Sequence, residues 1–211
     1  MIIEVCAESY EYAVKAEKAG ADRIELCKDL HLDGLTPDYE SAKKTIDKLS
    51  IPVFILIRPR DGDFVYSNEE FKLMKSDIVK FKEMGCKGIV SGVLSNDKSI
   101  DIERTQELVE LSKPLEFTFH RAFDVVTDPF KEIENLIELG IERVLTSGQK
   151  DKAIEGLKLL KELKEKVKNR IKIMPGSGIT IDNFKKFNSF GEIHGSFTNG
   201  LKAVASLKRN Q

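Results

Sequence analysis

The sequence predicts an α/β protein with one domain, residues 1–211, folded as a single (β/α)8 barrel of the TIM type. β-branched runs alternate with helical patterns along the whole chain, and no linker rich in Pro, Gly or Ser divides it. There are eight such runs, which is the number of strands in a TIM barrel. The predicted strands cover residues 2–7, 22–27, 52–58, 88–94, 116–121, 143–147, 171–175 and 192–196.

Helix boundaries between these strands carry capping signals. Ser67 and Glu70 have the spacing of a capping box, and Asp128 followed by Pro129 is typical of a helix start. Three helix ends share a glycine four residues before an apolar strand residue, namely Gly20, Gly85 and Gly140. The repetition indicates that one βα unit recurs along the chain.

The alternation of residues within the strands favours a closed barrel over an open sheet. In the first strand Ile3 and Val5 alternate with Glu4 and Cys6, so the apolar side should face the helices. An open sheet covered by helices on both faces has no place for so many ionisable groups. The same alternation directs inward Glu4, Cys6, Glu25, Cys27, Arg58, Glu116, Thr118, His120, Lys172, Glu192 and His194.

The last βα unit is predicted to be short or incomplete, because only fifteen residues follow Ser196. The whole chain of 211 residues is also short for a fold that typically needs roughly 250. We therefore expect part of the barrel wall to be covered by another copy of the chain. This predicts a homodimer or a larger homo-oligomer.

The composition of the chain limits the binding partners and the cellular compartment that are expected. Thirty-four Lys and Arg against thirty-five Asp and Glu leave no global positive field, so nucleic-acid binding is not expected. The chain has no apolar run of about 18 residues and no basic segment at its start, so a membrane span or leader is not expected. Three cysteines without a CxxC pair do not form a disulfide framework. A cytoplasmic location is predicted.

Eight motifs near the ends of the predicted strands resemble those of a known family. They are Glu4 to Cys6, Asp22 to Cys27, Gly34 to Pro37, Ile57 to Arg60, Thr118 to Asp124, Leu145 to Gln149, Met174 to Ile179 and Glu192 to Ser196. From residue 2 to about 196 the chain resembles the CutC family of copper homeostasis proteins. The resemblance implies a TIM barrel, a cytoplasmic homo-oligomer and a part in copper handling. Two positions depart from the family pattern: Asp33 replaces a glycine, and Phe197 replaces a small residue.

Cys6 and Cys27 are the predicted metal ligands, with copper as Cu(I) the predicted cofactor. They lie near the ends of adjacent strands on the same predicted face, and Cu(I) is a soft ion that accepts thiolates. The alternative is that two small side chains simply fill the barrel, since free cysteine is among the most buried residues. Cys86 follows a helix end at the opposite side of the barrel and is predicted to be structural.

His120 is the predicted general acid or base, with Glu25 or Glu116 to orient it. Buried carboxylates must be paired, neutralised or placed to bind a ligand, so the inward cluster indicates a functional site. The alternative is a structural ion-pair network, which also perturbs pKa values.

A phosphate-like anion is predicted at the loops after the seventh and eighth strands, where many TIM barrels bind phosphate. The predicted anion-binding residues are Arg58, Arg60, Ser177, Gly178, His194 and Ser196. The Gly-Ser-Gly segment is alternatively an ordinary turn, and Arg60 alternatively lies in solvent beside Asp61 and Asp63.

Two functions follow from these features. The first, which the resemblance implies, is a copper homeostasis protein that binds Cu(I) through the barrel cysteines. The alternative is a TIM-barrel enzyme acting on a small anionic or phosphorylated metabolite, with His120 as acid or base. The residues alone leave open whether the protein is an enzyme.

Overall fold

A computed structural model describes residues 1–196 and contains the eight predicted strands in one parallel sheet. The strands are β1 (Ile2–Ala7), β2 (Arg23–Leu26), β3 (Val53–Leu56), β4 (Gly88–Ser91), β5 (Glu116–Phe119), β6 (Arg143–Thr146), β7 (Lys172–Pro175) and β8 (Glu192–Gly195). Their order is β7-β6-β5-β4-β3-β2-β1-β8, with β7 and β8 packed side by side at the closure. The predicted barrel fold is confirmed as a nearly closed (β/α)8 barrel.

Helices cover the outside of the barrel. They are α1 (Tyr10–Lys18), α2 (Tyr39–Lys48), α3 (Asn68–Glu83), α4 (Ile102–Ser112), α5 (Pro129–Glu138) and α6 (Leu157–Val167). Ser67 and Glu70 form the predicted capping box of α3, and Asp128 caps α5 with Pro129 in its first turn. A 3-10 helix, Phe184–Phe190, takes the place of an α-helix between β7 and β8.

The two faces of the sheet divide the buried residues as the strand alternation predicts. Ile3 and Val5 belong to the large apolar core between the strands and the helices. A second, smaller cluster lies inside the barrel and consists of Cys6, Cys27, Phe54, Leu56 and Val90. The helix layer therefore provides most of the hydrophobic stabilisation, and the interior is free to hold polar groups.

Arginine side chains cross the amino-terminal end of the barrel interior. Arg23 forms ion pairs with Glu4 and, at 2.7 Å, with Glu192. Arg143 reaches the same Glu192 carboxylate at 3.0 Å, and Lys172 reaches it at 3.1 Å. Glu192 is therefore bound by three cations from three other strands, which neutralises its charge in the buried interior.

The ring of Phe54 packs within this network. The guanidinium carbons of Arg23 and Arg143 lie 4.8 and 5.3 Å from the ring centroid. Gly88 makes room for the ring, because a Cβ atom there would approach it to 2.5 Å. At the amino-terminal end of the barrel, the interior is thus occupied by packed and paired side chains.

The predicted short last βα unit and the departure at Phe197 lie outside the described residues. Among residues 1–196, no helix is long and apolar enough to cross a membrane.

Candidate metal and ligand site at the barrel mouth

A cavity of about 560 Å³ opens at the carboxyl-terminal ends of the strands. Its lining includes Cys6, Glu25, Arg58, His120 and His194. This is the end of the barrel at which TIM-barrel enzymes place their active sites.

Two thiols lie together at the base of this cavity. The Sγ atoms of Cys6 and Cys27 are 3.5 Å apart, and Cys6 Sγ is 3.4 Å from Glu25 Oε1. The hydrogen bond with Cys27 and burial raise the pKa of the Cys6 thiol well above its usual value. Cys6 is therefore a neutral thiol at neutral pH in the metal-free protein.

Gly34 allows the loop after β2 to pass close to these thiols. A Cβ atom at Gly34 would lie 3.5 Å from Cys27 Sγ and 3.0 Å from Leu56, and its φ of +86° favours glycine. The preceding Asp33 also has a left-handed φ of 64°. This explains physically why a glycine suits the position at which the chain departs from the family pattern.

Glu4 and His194 connect the thiol site to the arginine network below it. His194 Nδ1 lies 2.7 Å from Glu4 Oε1, while the other oxygen of Glu4 pairs with Arg23. Although burial acts in the opposite direction, Arg23 and His194 lower the pKa of Glu4 to about 2. Although burial again opposes the change, Glu25 and Glu4 raise the pKa of His194. The imidazole therefore carries more positive charge at neutral pH than an isolated one does.

Glu25 has no such pairing. Burial raises the pKa of its carboxyl group, and within residues 1–196 its Oε2 atom has no hydrogen-bond partner. A buried carboxylate oxygen without a partner is unusual, because desolvation is then uncompensated.

Strand register brings three potential metal ligands together. Cys6 aligns with Glu25 across β1 and β2, and His194 aligns with Glu4 across β8 and β1. As a result, one donor atom each from Cys6, Glu25 and His194 lie within 4.8 Å of one another, and all three residues are buried. The sequence prediction assigned these residues to three different roles, as metal ligand, catalytic group and anion ligand.

His120 lies at the end of β5 and is oriented by the backbone. Its Nδ1 atom accepts a hydrogen bond from the Ala122 amide at 3.3 Å. Burial and the nearby Arg58 lower its pKa to about 3, so the ring is neutral at neutral pH. The expected orientation of His120 by Glu25 or Glu116 was wrong, because neither carboxylate bonds it.

Glu116, the other carboxylate expected to orient His120, lies at the opposite, amino-terminal end of the barrel. It is the first residue of β5 and pairs with Arg143 at 2.7 Å, with half of its side chain exposed. It lies four positions before His120 along an extended strand, a distance of roughly 13 Å. Glu116 therefore belongs to the structural ion-pair network and has no contact with the mouth.

Arg58 and Arg60, which were both predicted to bind an anion, lie in different surroundings. Arg58 is buried and donates to the carbonyl oxygens of Leu32, Gly34 and Gly62 at 2.8, 3.1 and 3.2 Å. Arg60 lies outside the cavity lining, where it pairs with Glu70 at 2.7 Å and with Asp63 at 2.8 Å. Its prediction as an anion ligand was wrong, because its guanidinium holds the loop after β3.

Ser177, Gly178 and Ser196 line the cavity, as predicted for the loops after β7 and β8. The Ser177 hydroxyl donates to the Asp151 carbonyl at 2.6 Å. The neighbouring Gly176 amide donates to the Thr146 carbonyl. Anion binding by the amides of these loops stays a prediction.

The sequence reasoning missed the roles of Arg23 and Arg143 and the contact of Asp124 with the loop after β6. Arg23 and Arg143 stand two residues before inward positions of their strands, so the strand alternation contained the signal. Asp124 pairs with Arg121 at 2.9 Å and accepts from the Ser147 amide, which joins the loops after β5 and β6. These three residues support the site from outside the group of potential ligands.

Fold and site together define a TIM barrel whose mouth holds a buried cluster of thiol, carboxylate and imidazole groups. The chain matches the model of the CutC family over residues 1–199, and it belongs to that family.

Relatives and one solved structure agree with this assignment. The human copper homeostasis protein cutC homolog is 49% identical over 185 residues, covering 88% of this chain and 68% of the human protein. The Photorhabdus laumondii family protein CutC is 44% identical, covering 98% of this chain and 84% of its own. The crystal structure of CutC from Streptococcus agalactiae matches with a TM-score of 0.87 and 35% identity, covering 93% of this chain and 98% of that one.

Proposed function

We propose that this protein acts in copper homeostasis by binding one Cu(I) ion through Cys6 and Cys27, with Glu25 and His194 completing the site. The observation that carries the proposal is the pair of buried thiols 3.5 Å apart, beside a carboxylate and an imidazole. The human relative's name, copper homeostasis protein cutC homolog, supports the same function.

The chemistry of the two thiols and the imidazole fits Cu(I). Thiolates are soft ligands that select Cu(I), and imidazole is a ligand that copper also accepts. The unpartnered Oε2 atom of Glu25 is explained if a cation takes the place of the missing hydrogen bond. Copper is the cargo of this site, and its binding would displace protons from the thiols.

The enzymatic alternative is less favoured. A general acid or base works best with a pKa near the operating pH, whereas the pKa of His120 is about 3. The names of the human and mouse relatives also indicate copper homeostasis.

We further propose a cytoplasmic homo-oligomer. The three cysteines are free thiols, which a reducing compartment preserves, and Cu(I) itself requires such conditions. Light scattering at micromolar concentration should give a mass of at least two chains, and a single-chain mass would contradict the proposed assembly.

Copper binding is tested by anaerobic competition with a colorimetric Cu(I) chelator. The parent protein should bind one ion per chain, and Cys6→Ser or Cys27→Ser should weaken binding by roughly 100-fold, because each removes a thiolate ligand. Affinity should also fall as pH falls, since protons compete for the thiolates.

Cys86→Ser provides the matched control. Cys86 is a buried free thiol in the core between strands and helices, away from the cluster, so its replacement should leave Cu(I) affinity unchanged. Equal affinity in the parent and in a Cys6→Ser, Cys27→Ser double variant would show that copper does not bind here.

A further inference from the structure

Arg58 carries a buried positive charge that no carboxylate of residues 1–196 neutralises. Only 5% of the residue is exposed, and its three hydrogen bonds go to neutral carbonyl oxygens. The nearby Tyr66 hydroxyl is neutral as well, because burial raises the pKa of Tyr66 to about 12. A guanidinium has five N–H donors, so two of them are left after these bonds.

His120 offers a second buried donor. The Ala122 amide donates to Nδ1, so Nδ1 is the unprotonated nitrogen of the neutral ring and Nε2 carries the hydrogen. Within the described part of the chain, Nε2 has no hydrogen-bond partner, and the residue is 5% exposed. A buried N–H group without an acceptor is costly, so its presence calls for an explanation.

The chain makes space for His120 in this position. A Cβ atom at Gly92 would approach the ring to 2.8 Å, so only glycine fits opposite it. The ring also packs 4.9 Å from the centroid of Phe64, and the guanidinium carbon of Arg58 lies 5.1 Å from the same centroid. Both donors therefore belong to one wall of the mouth cavity.

We propose that this wall binds the carboxylate group of a small organic acid, which accepts hydrogen bonds from the Arg58 guanidinium and from His120 Nε2–H. The planar guanidinium edge matches the two oxygens of a carboxylate. A volume of about 560 Å³ leaves room for a small metabolite above the thiols.

Charge favours a monocarboxylate over a phosphate. Arg121, the other guanidinium of the cavity lining, is already paired with Asp124 at 2.9 Å. The carboxyl group of Asp33 lines the same cavity and would repel a second negative charge. His194, also in the lining, is already paired with Glu4 at 2.7 Å. One unneutralised arginine and the neutral His120 thus match a single negative charge.

The test uses metal-free protein with ¹⁵N-labelled side chains. Acetate is titrated against sodium chloride of equal ionic strength, and the Arg58 Nε and His120 Nε2 signals are followed by NMR. Acetate should shift both signals saturably, and inorganic phosphate should bind more weakly. The absence of a saturable shift, or tighter binding of phosphate, would overturn the proposal.

Two pairs of variants locate the interaction. Arg58→Lys keeps the positive charge but removes the planar guanidinium donors, and it should weaken acetate binding roughly ten-fold. Arg60→Lys, on the same loop, should leave acetate binding unchanged. His120→Phe keeps a ring and removes the donor, and it should weaken binding to a similar extent. If His120→Phe is folded and binds acetate like the parent, the proposal is wrong.

The same variants separate this site from the copper site. Arg58→Lys and His120→Phe should retain the Cu(I) affinity of the parent, because neither residue belongs to the thiol cluster. Loss of copper binding in the cysteine variants would leave the carboxylate proposal unaffected.

Discussion

The two ends of the barrel interior hold cavities of similar size but satisfy their polar groups differently. The amino-terminal cavity, about 610 Å³, is lined by Arg23, Glu116, Arg143 and Lys172, each of which is in an ion pair. The lining of the carboxyl-terminal cavity, about 560 Å³, also holds ion-paired groups, since Arg121 pairs with Asp124 and His194 pairs with Glu4. Within residues 1–196, however, Glu25, Arg58 and His120 of the same lining form no ion pair, and each has a buried polar atom without a hydrogen-bond partner. Paired charges indicate a structural role, whereas buried groups left unpaired indicate a ligand, so cavity size alone does not identify the site.

Glu4 joins the two ends, because one of its oxygens contacts Arg23 and the other contacts His194. The amino-terminal ion-pair network therefore orients His194, a residue of the metal cluster. A substitution in that network should alter the position of this imidazole. Three substitutions test the difference between the paired groups at the amino-terminal end and the unpaired groups at the carboxyl-terminal end.

The largest effect is expected for Arg143→Met. Arg143 is 1% exposed, and its loss would leave Glu192 and Glu116 each without a cation that now pairs with them. Removing one partner of a buried pair typically costs about 3–5 kcal/mol, and the free energy of unfolding should fall by that amount in urea titrations.

The matched control is Arg170→Met, which removes an arginine paired with Glu134 on the exposed surface. It should change stability far less. Similar losses in the two variants would show that the amino-terminal network is no more important than a surface pair.

Glu4→Gln should destabilise the metal-free protein by roughly 3 kcal/mol at pH 7, because the pKa of Glu4 falls from 4.5 to about 2 on folding. A lowered pKa contributes stability above the unfolded value, and this contribution is lost as pH falls. The difference between parent and variant should therefore shrink between pH 4.5 and about 2 in denaturation measured across pH. A difference independent of pH would contradict the assigned ion pairs.

Glu25→Gln should change the free energy of unfolding in the opposite direction and by the smallest amount. Because burial raises the pKa of Glu25, its ionised form opposes folding, and the amide should modestly stabilise the metal-free protein at pH 7. This gain should vanish as the pH drops below the unfolded pKa, where the carboxyl group is protonated in both states. Destabilisation at pH 7 would mean that Glu25 is already satisfied without a ligand.

Arg58 and Arg60 illustrate the limits of reasoning from the sequence. They are two residues apart, and the neighbouring Asp61 and Asp63 are the sequence's sole indication that Arg60 has a different role. The fold separates them, because Glu70 of α3 pairs with Arg60, whereas within residues 1–196 the hydrogen bonds of the Arg58 guanidinium go to carbonyl oxygens. Glu116 shows a related limit: its place at the start of the predicted strand 116–121 puts it at the amino-terminal end, but its partner Arg143 comes from another strand and is identified only by the fold.

The sequence by itself determined the barrel, the inward face of several strands and the placement of Cys6 and Cys27 on one face of adjacent strands. These features depend on local periodicity and on strand alternation, which are properties of neighbouring residues. Only the tertiary structure decided that His194 and Glu25 lie beside Cys6, and that Arg23 and Arg143 neutralise the acids at the other end. Such partners come from strands up to 190 residues apart, and they meet only because register and closure of the barrel align them.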